Sequence, residues 1–139
     1  MQIKYIKKHP DAIPFKYSRE GDACMDMFSV EDKVLHTGQT AIISTGIAIE
    51  IPEGYEGIVR GRSGLASNGI QVHLGTIDEN YVGDIGIIIT NNSSKLFYVT
   101  KGAKLAQFTI KPVYRIDLVE VQKIKDTERG ESGYGSSGF

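Results

Sequence analysis

Gly75-Thr76-Ile77-Asp78-Glu79-Asn80-Tyr81-Val82-Gly83-Asp84-Ile85-Gly86-Ile87-Ile88-Ile89-Thr90-Asn91 is the stretch whose reading decides the fold class. A short aliphatic run passes through acidic, amide and glycine residues into a second, longer aliphatic run. β-Branched side chains suit a pleated surface, whereas Asp, Asn and Gly bend the chain locally, so the segment reads as a β-hairpin. The same alternation continues on both sides. Strands are expected over residues 3–5, 26–29, 32–35, 39–44, 47–51, 55–61, 70–72, 75–77, 85–91, 96–99 and 105–113. Pro52-Glu53-Gly54, Asn91-Asn92-Ser93-Ser94 and Lys101-Gly102 separate them with turn chemistry. No long stretch keeps a helical period. One short helix is expected at Ser63-Gly64-Leu65-Ala66-Ser67, with Ser63 as its N-cap. The class is therefore all-β, and many short strands of this kind close into a barrel, sandwich or jelly roll that protects its sheet edges.

The chain has 139 residues, the size of one domain. Its 16 Lys+Arg against 17 Asp+Glu give a formal charge of −1, so no broad basic field exists to hold nucleic acid or a membrane surface. Any anion must be met locally. A single cysteine, Cys24, excludes an intrachain disulfide framework and fits a reducing compartment. The run Ile85-Gly86-Ile87-Ile88-Ile89 is far too short to span a membrane, and the first residues lack a signal-type apolar core, so a soluble, cytoplasmic protein is expected. Beyond Lys125 the composition changes: residues 126–139 hold four Gly, three Ser and two aromatics, too little apolar surface to offset ordering entropy. Two units are expected, a β-barrel domain over 1–125 and a flexible, Gly/Ser-rich flap over 126–139.

Several clusters could carry chemistry. In Gly61-Arg62-Ser63-Gly64-Leu65-Ala66 a fixed cation, a hydroxyl and a glycine open the only expected helix, where free amides and the dipole favour an anion. The plain alternative is an ordinary helix start with a solvated Arg. At the hairpin, Asp78 could serve as a general base and Tyr81 as a pocket wall, although acidic turn residues are common for local reasons alone. Asp26 could be a metal-shell carboxylate or a solvated turn residue. Gln107, on a strand expected to be half buried, is either a cross-strand bonder or a ligand donor. His36, His73 and Cys24 have no ligand spacing, so no zinc site is expected. In the tail, Arg129-Gly130-Glu131-Ser132-Gly133-Tyr134-Gly135-Ser136-Ser137-Gly138 alternates phosphate-type donors and one aromatic with glycines, the pattern of a ligand-closing flap rather than a frayed end.

Taken in order, these segments resemble the five motifs of the trimeric dUTP pyrophosphatases (dUTPases). The resemblance runs from Asp22 to Gly138 and rests on Arg62-Ser63-Gly64-Leu65-Ala66, Gly75-x-Ile77-Asp78-x-x-Tyr81-x-Gly83, Gly102-x-x-x-Ala106-Gln107 and the tail from Arg129. It implies a distorted jelly-roll β-barrel, or β-clip, assembled as a homotrimer whose active sites span subunits. It also implies Mg²⁺-dependent hydrolysis of dUTP to dUMP and pyrophosphate, which keeps uracil out of DNA and supplies dUMP for dTMP synthesis. Asp78 would activate the attacking water. Tyr81 would pack on the deoxyribose, while Gly75, Thr76 and Ile77 belong to the hairpin whose main chain would read uracil. Arg62, Ser63, Gly64 and Gln107 would hold phosphates, and Asp26 would reach Mg²⁺ through water. Arg129 would contact phosphate, Tyr134 would stack on uracil, and Gly135, Ser136 and Ser137 would wrap the phosphate chain.

The sequence departs from the family pattern at Cys24 (usually Gly), Gly61 (frequently Pro), Lys104 (commonly Arg), Ser132 (often Gly) and Tyr134 (usually Phe). None removes a catalytic group. Two rivals are a dCTP deaminase of the same superfamily, which needs a Glu near the amino-bearing carbon, and a regulatory trimer that retains the fold to bind another protein.

Overall fold

The computed structural model describes residues 1–133. Among them the chain forms β1 (Tyr5–Lys7), β2 (Met25–Phe28), β3 (Lys33–Leu35), β4 (Thr40–Ile43), β5 (Ile47–Ile49) and β6 (Tyr55–Arg60). After the single helical turn α1 (Ser63–Ala66) come β7 (Ile70–Val72), β8 (Gly75–Ile77), β9 (Ile87–Asn91), β10 (Phe97–Val99) and β11 (Lys104–Pro112). The expected all-β architecture of jelly-roll type is what forms. Its largest sheet has the order β2-β11-β6-β8, a second runs β4-β9-β7, and β1-β5 and β10-β3 pair separately. Every pairing is antiparallel.

The interior is filled by alternate strand residues. In β9, Ile87 and Ile89 are fully buried while Ile88 faces outward, the period-2 pattern of a strand with one covered face. They join Met27, Leu35, Ile43, Ile47, Ile85, Leu105 and Phe108, and burying each such side chain contributes about 1.5–3 kcal/mol. Buried Asn91 ends β9 with its amide satisfied: it donates to Leu35 O at 3.0 Å and Lys95 O at 2.7 Å, and its oxygen accepts from Ser93.

Four expectations change. The first strand lies at Tyr5–Lys7 rather than 3–5, because its partner is Ile47–Ile49 and Lys7 pairs with Ile47. Asp32 stays outside β3, its carboxylate accepting Lys101 N at 2.7 Å. Arg62, not Ser63, occupies the N-cap position, in extended conformation and without a side-chain cap. The expected hairpin between Gly75–Ile77 and the Ile85 strand does not form: β9 is paired by the preceding strand β7 instead, and His73 N donates to Ile88 O at 2.9 Å. Beyond that point the arms part: β8 pairs with β6, and Ile85 N donates to Ile47 O at 2.9 Å. The tip is thereby spread across two sheets.

The regular body ends at Pro112, before the compositional change at Lys125. Residues 113–125 are exposed and carry Tyr114, Ile116, Leu118, Val119 and Ile124 outward.

Candidate active site

The central strands β11 and β6 fix one half of the site. Gln107 on β11 pairs with Asp26 on β2 and with Arg60 on β6, so these three residues form one cross-strand row. Residues 104 and 107 of a regular strand would face opposite ways. A bulge between Lys104 and Ala106 adds a residue, and Lys104 then pairs with Phe28, on the same face as Asp26. The Lys104 ammonium consequently reaches Asp26, with Nζ 2.8 Å from Oδ2. Ser18 Oγ donates to the same oxygen at 2.5 Å and accepts from Lys104 Nζ at 2.7 Å. From the end of β6, Arg62 Nε comes within 3.7 Å of Asp26 Oδ1, while its Nη1 donates to Lys104 O at 2.8 Å.

Asp26 is thus a buried carboxylate, 5% exposed, between two cations and a hydroxyl. Burial alone would raise its pKa. Hydrogen bonds from Lys104 and Ser18 and the charges of Lys104 and Arg62 outweigh that, leaving it below the ordinary carboxylate value. Ser63 and Gly64 are exposed in α1 beside this cluster. A four-residue turn has little macrodipole, so positive potential here comes from Arg62 and Lys104 instead of from the helix end expected in the sequence. Sequence reasoning missed Ser18 altogether, since its link to Asp26 and Lys104 depends on where a loop lands beside β2.

The other half is the turn after β8. Tyr81 N donates to Asp78 O at 3.1 Å, which closes the turn. Its two neighbouring acids behave differently. Glu79 is tied down, accepting Gly54 N at 2.7 Å and pairing with Arg115. Asp78 is exposed, and its carboxylate has no hydrogen bond or ion pair among the described residues. The Tyr81 hydroxyl donates to Asp84 O at 2.9 Å, laying the ring across Gly83. A Cβ at residue 83 would sit 2.3 Å from the Tyr81 oxygen, so a side chain there would push the ring from this position. Thr76, Ile77, Asp78, Tyr81, Asp84 and Ile85 line a cleft of about 230 Å³. A larger groove, about 320 Å³, lies at Phe15, Met25 and Phe108, but its lining is mainly apolar and offers no reacting group.

The two halves do not meet in one chain. Ile77 pairs with Gly57, so Asp78 lies level with Glu56, whereas Arg62 follows the opposite end of β6. Six residues of chain, the last two beyond the end of β6, separate those levels, roughly 20 Å if extended. Arg129 is not brought to either half and donates Nε to Ser132 O at 2.9 Å. Tyr134, Gly135, Ser136 and Ser137 lie outside the described residues.

As a metal site, the Asp26 cluster offers one carboxylate whose oxygens already have partners, and no group of three or more His, Cys, Asp or Glu converges among the described residues. That donor set fits a Mg²⁺ carried on phosphate oxygens and its own waters, touching the protein through those waters. It does not fit a cage of protein ligands. Among the described residues, no helix is long and apolar enough to cross a membrane.

On an all-β frame, cations gather at one end of a strand and a free carboxylate stands beside an aromatic ring at the other, groups of the kind that bind and cleave a nucleotide phosphate. The chain belongs to the dUTPase family: the family profile described as dUTPase matches residues 11–138. It is 49% identical to the deoxyuridine 5'-triphosphate nucleotidohydrolase of Alkaliphilus metalliredigens over 140 residues, covering 99% of this chain and 94% of the relative. The enzyme of the same name from Clostridium tetani is 46% identical over 141 residues, covering 99% and 96%. Among solved structures, a point variant of the Staphylococcus bacteriophage 80alpha dUTPase with bound dUpNHpp is similar at a TM-score of 0.93 and 29% identity, covering 99% of both chains. A dUTPase variant from phage phi11 of S. aureus, described with a structural Mg(II) ion, superposes at 0.83 and 28% identity, covering 88% and 98%.

Proposed function

We propose that this protein hydrolyses dUTP to dUMP and pyrophosphate, with Asp78 as the general base. The observation that carries the assignment is the division of labour in the turn, where Glu79 is spent on Gly54 and Arg115 while Asp78 lines the cleft beside Tyr81 with no side-chain partner among the described residues. Asp78 takes a proton from a water as its oxygen attacks the α-phosphorus in line. The bond from that phosphorus to the bridging oxygen breaks, and the electron pair leaves with pyrophosphate. A positioned base is worth about 10²–10⁴-fold here, and the remainder is alignment and charge neutralisation.

Tyr81 packs on the deoxyribose and denies space to a 2′-hydroxyl, while main-chain groups of Gly75, Thr76 and Ile77 meet the uracil edge. Arg62, Ser63, Gly64 and Gln107 hold the phosphates. Mg²⁺, when bound, would neutralise triphosphate charge, with Asp26 accepting hydrogen bonds from its water shell.

A base must come within hydrogen-bond reach of its water, so Asp78 and Arg62 of the same chain cannot serve one α-phosphorus across roughly 20 Å. The site is therefore shared between subunits, and the homotrimer implied by the family resemblance supplies that arrangement, one subunit giving the phosphate end and its neighbour the turn. Residues 126–139 act as the flap of a further subunit, bringing Arg129 to phosphate, Tyr134 to the uracil face, and Gly135, Ser136 and Ser137 around the phosphates. A pyrophosphate-release assay across dUTP, dTTP, dCTP and UTP tests the reading. Release from dUTP alone is expected, whereas uracil nucleotides appearing from dCTP would sink it.

A further inference from the structure

The turn that carries Asp78 and Tyr81 ends at Asp84, to which none of the roles above is given. We propose that Asp84 is a positioning residue that fixes Tyr81 and thereby sets the discrimination between deoxyribo- and ribonucleotides. The inference rests on the dUTP reading above, because it concerns the sugar wall of that site.

The argument begins with exposure. Tyr81 is 44% exposed, so packing against the core does not by itself fix the ring. Its polar anchor is the bond from its hydroxyl to Asp84 O, and its place is therefore set by where Asp84 sits. Asp84 is in turn held by its carboxylate to the corner joining β4 and β5. Ser44 Oγ donates to Asp84 Oδ2, and Thr45 Oγ1 lies 3.2 Å from Oδ1. A hydroxyl has one proton to give. Ser44 gives it to Asp84 and accepts Gly46 N at 3.2 Å. Thr45, fully buried, has a shorter contact of 2.7 Å to Ile85 O, so Ser44 is the principal grip on the carboxylate.

The corner itself is immobilised from several directions. Ser44 N donates to Glu31 Oε1 at 3.0 Å, and Val30 N donates to Ser44 O at 3.0 Å. Gly46 adopts φ +66°, and a Cβ there would lie 2.8 Å from His9 Cβ and 2.9 Å from Ala12 Cβ, so the corner is pressed against the N-terminal turn. A continuous set of bonds thus runs from the barrel interior through Ser44 and Asp84 to the Tyr81 ring. Asp84 has no ion pair among the described residues, so the Ser44 hydroxyl is its carboxylate's principal partner.

The test compares kcat/KM for dUTP and UTP in the wild-type protein, Asp84→Ala, Ser44→Ala and Asp84→Asn, with the melting temperature of each. Loss of the tether in Asp84→Ala or Ser44→Ala is expected to reduce the dUTP preference by about tenfold or more, since a small misplacement of a wall group costs on that order. Asp84→Asn keeps an oxygen acceptor for Ser44 and is expected to hold the preference within about threefold. Ser44→Ala removes the same bond while leaving residue 84 intact, so the inference stays testable even if Asp84→Ala fails to fold. An unchanged dUTP-to-UTP ratio in folded Ser44→Ala overturns it, whatever happens to the melting temperature. A wild-type protein that leaves dUTP intact overturns the functional reading instead.

Discussion

The two ends of β6 are built on different principles. At the phosphate end Asp26, Lys104, Arg62 and Ser18 interlock within one chain, and each charge has a partner before any ligand arrives. At the turn the carboxylate of Asp78, the proposed base, stands exposed, while its neighbours are anchored, Glu79 to the turn before β6 and Asp84 to the corner between β4 and β5. The contrast follows from what each end must do. Cations near an empty site repel one another, and a buried carboxylate between them holds them in place at the cost of its own desolvation. A base needs the opposite, a free lone pair on a rigid mount.

The largest expected effect breaks the turn end alone. Asp78→Asn preserves shape and removes the basic lone pair, so kcat for dUTP should fall about 10²–10⁴-fold while binding of a non-hydrolysable dUTP analogue stays nearly intact. Steady-state kinetics and calorimetry check this. Turnover within about tenfold of wild type would mean that another group takes the proton.

Breaking the other end should look different. Arg62→Ala loses charge-assisted contacts to phosphate, each worth about 1.5–3 kcal/mol, so weaker dUTP binding and a KM raised roughly 10–150-fold are expected. It also strips a partner from Asp26. The comparison sharpens when the two variants are combined. If the ends come from different subunits, dissociating and reassembling a mixture of Asp78→Asn and Arg62→Ala chains should restore sites that contain both wild-type residues. Activity of the mixture should then exceed the sum of its separate components. A strictly additive result would place both ends of each site in one subunit.

The same contrast explains what was legible in the sequence. The turn was readable because its chemistry is local: acids, a ring and glycines follow one another from Gly75 to Asp84, and the departures there concern only where the arms pair. The candidates Asp26, Arg62 and Gln107 could be named from their motifs, but not their electrostatics. Lys104 faces Asp26 only because a bulge shifts its parity, and Ser18 arrives from a loop with no motif at all. Ser63 is the residue type an isolated helix start favours as its cap, yet Arg62 occupies that position in extended conformation, one residue earlier. Long-range placement, invisible to local pattern, decided the partners of Lys104 and Ser18.

The smallest expected effect concerns acid, and it belongs to the phosphate end. Asp26 has a folded pKa lowered from its ordinary 3.8, because the hydrogen bonds and charges around it outweigh its burial. A group depressed in the folded state contributes stability that is fully present above the unfolded value and is lost as pH falls through the folded one. The wild-type protein should therefore lose stability more steeply than Asp26→Asn as pH drops below 3.8, with the two melting temperatures converging. The exposed Asp11–Lys101 pair is a built-in control. Asp11 is also lowered, chiefly by its hydrogen bond to Lys101, but its carboxylate is about half exposed and such surface pairs contribute little. Asp11→Asn should accordingly track the wild-type acid profile. If instead Asp26→Asn and wild type keep a constant gap throughout the acid range, followed by circular dichroism, then the Lys104–Asp26–Arg62 cluster is packing the strand ends without electrostatic effect. In that event the difference between the two ends of β6 would be one of burial alone.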